Sequence, residues 1–321
     1  MGNNRNSEVV DLVKSCLRDV PAALTFSKEN CMTRNLKVLV ADGSLWEMIL
    51  LYLVLAGYAL SKPDRKGYCG TVNGVEFHRC NRRTIPHFLA KEDADAGVTG
   101  YDLLYASDAR GLREVCRLCF SRNSNGPTRW VLARRKGFDP DGRKVRIGCE
   151  LPRLAKKLLK ERTLPFDFTI EKIDGSEEAY AAKRLVDMVL VVTETGESLR
   201  AFDLEIVPGF DCLLESTPVL LAQTLLDAGK EATLQALNMA LQAVVGASAH
   251  VMVTFNVPAH VGIALLRLPA GVAPTVAPLS DPRWQACTVC IRRTELGDVL
   301  CKLRQAGAKS IVMQEIQGFI A

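Results

Sequence analysis

The sequence predicts an α/β protein that carries a smaller α+β unit at its C-terminus. Three observations predict it. From residue 36 onward, apolar runs of strand length alternate with stretches of helical periodicity, as when strands and crossover helices build an open sheet. A long helical stretch, residues 222–245, separates this alternation from the last quarter of the chain. Beyond it, the order strand, helix, strand, strand, helix, strand is that of a ferredoxin-like unit.

The elements follow in order. Residues 1–35 form an N-terminal extension in which Ser7 can cap an amphipathic helix over residues 8–18, with Val9, Val10, Leu12, Val13 and Leu17 on its apolar side. Residues 36–40 read as a strand, Ala41-Asp42-Gly43-Ser44 as a turn, and 45–56 as a helix with Gly57 as its cap. A second strand spans 75–80, a short helix 84–90, and a third strand 96–99 ends at Gly100. Strands at 129–133 and 145–149 come next, then helix 151–162, strand 166–172, helix 177–185 and strand 188–192. In the C-terminal unit the strands are 250–257, 275–278, 285–292 and 310–315, and the helices 259–268 and 295–306. Ligands of open α/β sheets bind beyond the C-terminal ends of strands, so the turns there are the places to look.

Composition narrows the function. The 321 residues suffice for two or three domains, and a net charge of +5 is only mildly basic. No RNP, zinc-finger or basic-helix pattern points to nucleic acid. The charge suits a phosphorylated small molecule, with Arg79, Arg82, Arg83 and the run Arg134-Arg135-Lys136 as the cations to examine. No N-terminal stretch has the charged, apolar and cleavage regions of a signal peptide. The most apolar window, residues 46–60, is shorter than the ~20 residues of a spanning helix and contains Glu47, so it reads as a buried helix. A soluble, cytoplasmic protein is expected, with no membrane partner. Eleven cysteines, an odd number without a secretion signal, argue for free thiols. Cys116/Cys119 and Cys287/Cys290 have CxxC spacing but lie far apart without knuckle glycines, and the four histidines show no i,i+4 spacing. No metal-ligand set is assigned.

The most informative segment is the strand 188–192 with the turn behind it, Thr193-Glu194-Thr195-Gly196-Glu197-Ser198. A Thr-Gly-x-Ser turn after a buried strand aims backbone N–H groups and two hydroxyls at one small volume, which is how chains cradle phosphate. The same four residues also serve as an ordinary helix cap.

Other segments agree with the phosphate reading, in order along the chain. Ile85-Pro86, Asp95-Ala96-Gly97-Val98-Thr99-Gly100-Tyr101-Asp102, Lys144-Val145-Arg146-Ile147-Gly148, Gly175-Ser176-Glu177-Glu178, Thr195-Gly196-Glu197-Ser198-Leu199, Pro274-Thr275-Val276-Ala277-Pro278-Leu279, Trp284 and Gly307-Ala308-Lys309-Ser310-Ile311 together resemble the ATP phosphoribosyltransferase family in its long form. The resemblance covers roughly residues 36–320.

It implies a two-lobed, periplasmic-binding-protein-like phosphoribosyltransferase core and a ferredoxin-like regulatory domain. Residues 36–118 and 204–221 would form lobe I, 119–203 lobe II with the phosphate loop, and 222–321 the linker helix and regulatory domain. It implies a glycosyltransferase that displaces pyrophosphate from phosphoribosyl pyrophosphate with N1 of ATP, the first step of histidine biosynthesis. It further implies magnesium on the substrate pyrophosphate, histidine as an allosteric effector, and a homo-oligomer. In this reading Thr195, Gly196 and Ser198 hold the 5-phosphate, flanked by Glu194 and Glu197. Glu178 positions ribose or metal. Asp42, Gly43, Ser44 and Arg79 face pyrophosphate and purine, and Thr99, Gly100, Tyr101 and Asp102 complete the substrate site, with Glu178 and Asp42 as the catalytic candidates.

Departures are specific. Ala41-Asp42-Gly43-Ser44 stands where the family has Pro-Lys-Gly-Arg, Thr84 where it has Asp, Val191 where it has Asp, and Phe202-Asp203 where it has Asn-Gly. Two further readings therefore stay open: a diverged transferase with another acceptor or donor, and a non-catalytic binding or regulatory paralogue.

Overall fold

The computed structural model describes residues 35–120, 126–162, 164–261, 268–269 and 272–320. The chain parts into two compact units between Asn238 and Met239.

The first unit holds two sheets. β1 (Leu36–Ala41) is almost wholly buried, and its apolar run, interrupted only by Lys37, reflects a strand covered on both faces. A 3₁₀ turn (Gly43–Leu45) leads into α1 (Trp46–Leu55). β2 (Tyr68–Val72) and β3 (Val75–Cys80) form a hairpin, followed by α2 (Ile85–Ala90), β4 (Ala96–Gly100), α3 (Tyr101–Ala106) and β5 (Leu112–Arg117). The chain then enters a second sheet through β6 (Thr128–Arg135), β7 (Val145–Cys149), α4 (Pro152–Lys160), β8 (Phe168–Lys172), α5 (Glu177–Ala182), β9 (Met188–Thr193), α6 (Glu197–Ala201), β10 (Leu204–Ile206) and β11 (Leu214–Ser216). It returns to the first sheet as β12 (Pro218–Gln223). The first sheet runs β2-β3-β1-β4-β12-β5 and the second β10-β6-β9-β7-β8, with β11 also on β6. Two lobes joined by two crossings are the architecture expected.

Helices pack closely where glycine allows it. A Cβ on Gly97 of β4 would overlap Ile85 of α2 and lie 3.2 Å from the Leu39 carbonyl, so only a bare backbone lets α2 sit there. Below the second sheet, Leu154, Ala155, Leu158 and Leu159 of α4 bury against Ile147, Met188 and Leu190.

α7 (Ala228–Ala249) begins in the first unit, where Lys230 Nζ donates to buried Asp95 at 2.8 Å. The second unit adds β13 (His250–Pro258), β14 (Thr275–Pro278), β15 (Trp284–Arg292), α8 (Leu296–Gln305) and β16 (Lys309–Gln314). Its antiparallel order is β14-β15-β13-β16, the ferredoxin-like arrangement. Strict alternation in β13 buries Val251, Val253, Phe255 and Val257 against Val299 and Leu303 of α8.

Three features differ from expectation. Residues 204–216 do not return to lobe I; β10 and β11 both pair antiparallel with β6, filling its open edge, so they belong to the second lobe. The long helix starts at Ala228 rather than 222, because Pro218–Gln223 is held between β4 and β5 by ladder bonds on both sides. β5, rich in charge, is not apparent from periodicity; as an edge strand it buries only Cys116. The helix expected in residues 8–18 lies outside the described residues, as does most of the one expected over 259–268. Cys287 is buried and Cys290 half-buried on opposite faces of β15, and among the described residues no three His, Cys, Asp or Glu side chains converge. No helix among them is long and apolar enough to cross a membrane.

Candidate active site

β9 runs buried through the second sheet and delivers its C-terminal end to a tight loop. The Gly196 N–H donates to Thr193 Oγ1 at 3.0 Å, and the Glu197 N–H to Thr195 Oγ1 at 3.4 Å. Gly196 has φ +73°, a left-handed conformation that costs a residue with a side chain roughly 1–2 kcal/mol. Arg200 Nη1 donates to the Thr195 carbonyl at 2.9 Å and straps the loop from the far side.

A cleft of about 590 Å³ opens against this loop. Thr193, Glu194, Thr195, Glu197 and Ser198 form one wall, and Arg82, Arg83, Gly100 and Asp102 of the first lobe face them. Trp130, Glu150, Ser216 and Thr217 add to the lining.

Asp102 ties the lobes together. Its Oδ1 accepts the Ser216 hydroxyl at 3.0 Å and the Leu103 N–H at 3.0 Å, while Oδ2 accepts Trp130 Nε1–H at 3.1 Å. Trp130 lies on β6 and Ser216 on β11, so one lobe I carboxylate gathers donors from lobe II. Burial raises the Asp102 pKa above the usual carboxylate value, against the pull of these donors and of the Arg82 charge.

A second link is ionic. Arg82 Nη2 lies 3.2 Å from Glu150 Oε1, and Arg83 Nη2 bonds the same oxygen. Glu150 directly follows β7, and the arginines follow β3, so the pairs span the two lobes. Burial raises the Glu177 pKa, and the negative charges of Glu150 and Glu178 add to the shift.

The structure brings together Gly100, Asp102, Glu194, Thr195, Glu197 and Ser198 in the cleft, with Gly196 shaping the loop. Thr99 is buried behind it, its hydroxyl donating to the Arg82 carbonyl at 2.9 Å. Tyr101 turns to Arg117, whose guanidinium lies 4.1 Å from the ring centroid. Glu178 sits half-buried on α5 and does not line the cleft. Asp42 and Arg79 line a separate open depression with Lys62, Asp64, Arg65 and Lys66. There Arg79 lies over Trp46 at 5.2 Å, and Asp42 Oδ1 accepts the Arg82 N–H at 3.1 Å. Gly43, at φ +78°, lies beside the Arg82 guanidinium, and Ser44 is in the 3₁₀ turn. Sequence reasoning missed Glu150, Trp130, Ser216 and Thr193 as site residues. Glu150 and Thr193 stand at strand C-terminal ends and could have been found by that rule.

Glu194 Oε1 and Thr217 Oγ1 are buried without a hydrogen-bond partner, and both residues line the cleft. Unsatisfied buried polar atoms are uncommon in folded proteins and mark where a ligand can bind.

The sequence pattern of ATP phosphoribosyltransferases matches residues 81–243, and that of the family's C-terminal domain matches residues 247–318. ATP phosphoribosyltransferase from Nitratidesulfovibrio vulgaris (strain DSM 19637 / Miyazaki F) is 31% identical over 286 residues, 86% of this chain and 95% of that protein. The chain belongs to the ATP phosphoribosyltransferase family. The enzyme of this name from Pelotomaculum thermopropionicum is 31% identical over 289 residues, 87% of this chain and 96% of that one. The ATP phosphoribosyl transferase (HisG:HisZ) complex from Thermotoga maritima shares the fold with a TM-score of 0.55 at 21% identity, over 64% of this chain and 96% of that one. This ATP phosphoribosyltransferase family member is thus a transferase whose Thr193–Ser198 loop and two lobe I arginines face a single cleft.

Proposed function

We propose that the enzyme joins N1 of ATP to C1 of phosphoribosyl pyrophosphate and releases pyrophosphate, opening histidine biosynthesis in the cytoplasm. The observation that carries the reading is the convergence of the Thr193–Ser198 loop with Arg82 and Arg83 in one cleft. The loop N–H groups and the Thr195 and Ser198 hydroxyls suit the 5-phosphate. Arg82 and Arg83 suit the pyrophosphate, which takes them over from Glu150 as counter-ion. Holding both ends of the donor aligns C1 with the acceptor, and negative charge that grows on the departing pyrophosphate meets fixed cations.

Magnesium would come bound to the substrate pyrophosphate. The chain offers it Glu194, whose buried oxygen lacks a donor, and Glu197 across the loop. Bound there, the cation would neutralise the leaving group. The ferredoxin-like unit supports histidine as a feedback effector, and self-association into an oligomer belongs to the same reading.

The test is pyrophosphate release from phosphoribosyl pyrophosphate plus ATP with magnesium, with and without histidine. Release that needs both substrates and is suppressed by histidine is expected. No release with ATP, while phosphoribosyl pyrophosphate still binds, would assign the cleft to another acceptor.

A further inference from the structure

The second sheet has two ends. β6 pairs with β9 from Arg129–Thr193 at the cleft to Arg134–Met188 at the opposite edge, roughly 16 Å away along the strand. At that far edge lies a cavity of about 430 Å³, lined by Arg135, Lys136, Arg143, Arg146 and Arg184 with Asp139 and Asp187. Nothing in the transferase chemistry uses it.

Its internal acids do not balance its cations. Asp187 is buried and saturated: it accepts the Arg146 N–H at 2.9 Å and faces the Arg143 and Arg146 guanidinia at 3.2 and 3.7 Å. Lys136 bonds Asp203 outside the cavity. Arg135 gives Nη1 to the carbonyls of Ala181 at 2.7 Å and Val186 at 3.2 Å, which fixes its fork in place. Arg135 and Arg143 both stack on Phe138, 5.4 and 5.2 Å from the ring centroid. Among the described residues the Arg184 guanidinium has neither an ion pair nor a hydrogen bond. Burial lowers the Arg135 pKa, and the neighbouring Arg184 and Arg143 charges lower it further, against the opposing pull of Asp187. Like charges held this close repel unless an anion lies between them.

Arg184 adds an independent sign. It follows α5 with φ +61°, the left-handed position where helices usually end in glycine. A bulky, charged residue stands where the backbone favours glycine.

We propose that this pocket binds a small phosphate-bearing metabolite at a site separate from the cleft, held by Arg135, Arg143 and Arg184. Planar guanidinium forks match phosphate oxygens in pairs, and several forks around one point suit a dianion better than a single carboxylate. The cavity lies at the lower end of the size range of small-molecule sites, which favours a compact ligand over a polymer. The occupant would touch the starts of β7 and β9, the strands whose other ends carry Glu150 and the phosphate loop.

The experiment titrates the full chain with inorganic phosphate by calorimetry, in a Gly196→Val background that disables the cleft loop. Saturable binding is expected, weakened by about tenfold or more in Arg143→Gln and in Arg184→Gly. Arg184→Gly also relieves the left-handed backbone, so its melting temperature should hold or rise while its affinity falls. In the unaltered chain the same substitutions should remove one phosphate site from the stoichiometry. Affinity unchanged by either substitution, or no saturable binding up to about 10 mM phosphate, overturns the proposal.

Discussion

Gly100→Ala should destabilise the first unit through a side chain two residues away. Gly100 ends β4 with φ −70°, so alanine suits its backbone. The space does not suit it: an ideal Cβ falls less than 3.0 Å from Asp102 Oδ1, closer than real Cβ atoms approach. The carboxylate cannot swing freely, because Ser216, Leu103 and Trp130 all donate to it. Moving Oδ1 breaks two bonds to an ionised acceptor, each worth about 1.5–3 kcal/mol, and water from the cleft restores part of them. The expected loss is about 2–4 kcal/mol.

The assay is urea unfolding followed by fluorescence in a Trp284→Phe background, which leaves Trp46 and Trp130 of the first unit as reporters. A double-mutant cycle isolates the mechanism. In an Asp102→Ala background, Gly100→Ala should cost less than about 0.5 kcal/mol, because the obstructing oxygen is gone. Equal losses in both backgrounds would refute the reasoning and assign the cost to the backbone.

Other outcomes follow from the same geometry. Gly196→Val puts a β-branched side chain at φ +73°, with its Cβ 3.2 Å from Arg200 Nη1, and should weaken phosphoribosyl pyrophosphate binding by about tenfold or more; normal binding would remove the loop from the site. Glu150→Gln frees Arg82 and Arg83 from a partly exposed ion pair worth up to about 1 kcal/mol, so pyrophosphate should bind about two- to fivefold tighter by calorimetry. Unchanged affinity would mean that the arginines do not meet the ligand. Because burial raises the Asp102 pKa, the folded state holds more protons than the unfolded state between the usual carboxylate value of 3.8 and the raised one. Stability should therefore fall as pH rises through that window, and Asp102→Asn should flatten this part of a urea-midpoint profile.

Much of the architecture was legible because buried strands are mostly apolar. β1, β4, β7 and β9 each read directly from the sequence, and the left-handed Gly196 announced the loop. The misplaced elements have a common cause. β5, β10 and β11 are short or charged, and their positions depend on which neighbouring strand has a free edge, which local sequence does not record. The same holds for the site. Thr195 and Ser198 lie in one motif and were found together, and Asp102 came with its own motif, whereas Trp130 and Ser216, its partners, come from distant segments and meet it only after folding.

The departures from the family pattern look different once placed in space. Val191 is buried among Ile173, Ala181 and Leu199, whereas its neighbour Val192 lines the cleft. Replacing a polar residue by valine at 191 therefore alters packing beneath the loop, not the lining of the cleft. Asp42 likewise stands outside the cleft, in a depression whose other charged residues are mostly cations. Its carboxylate accepts the N–H of Arg82, the residue that, with Arg83, turns positive charge into the cleft. An acid at this turn lies outside the cleft; it anchors the backbone of the segment that carries Arg82 and Arg83. In the proposed reading, cationic recognition of pyrophosphate therefore falls to the arginines after β3 rather than to the turn after β1, and exchange of Glu150 for substrate would free them.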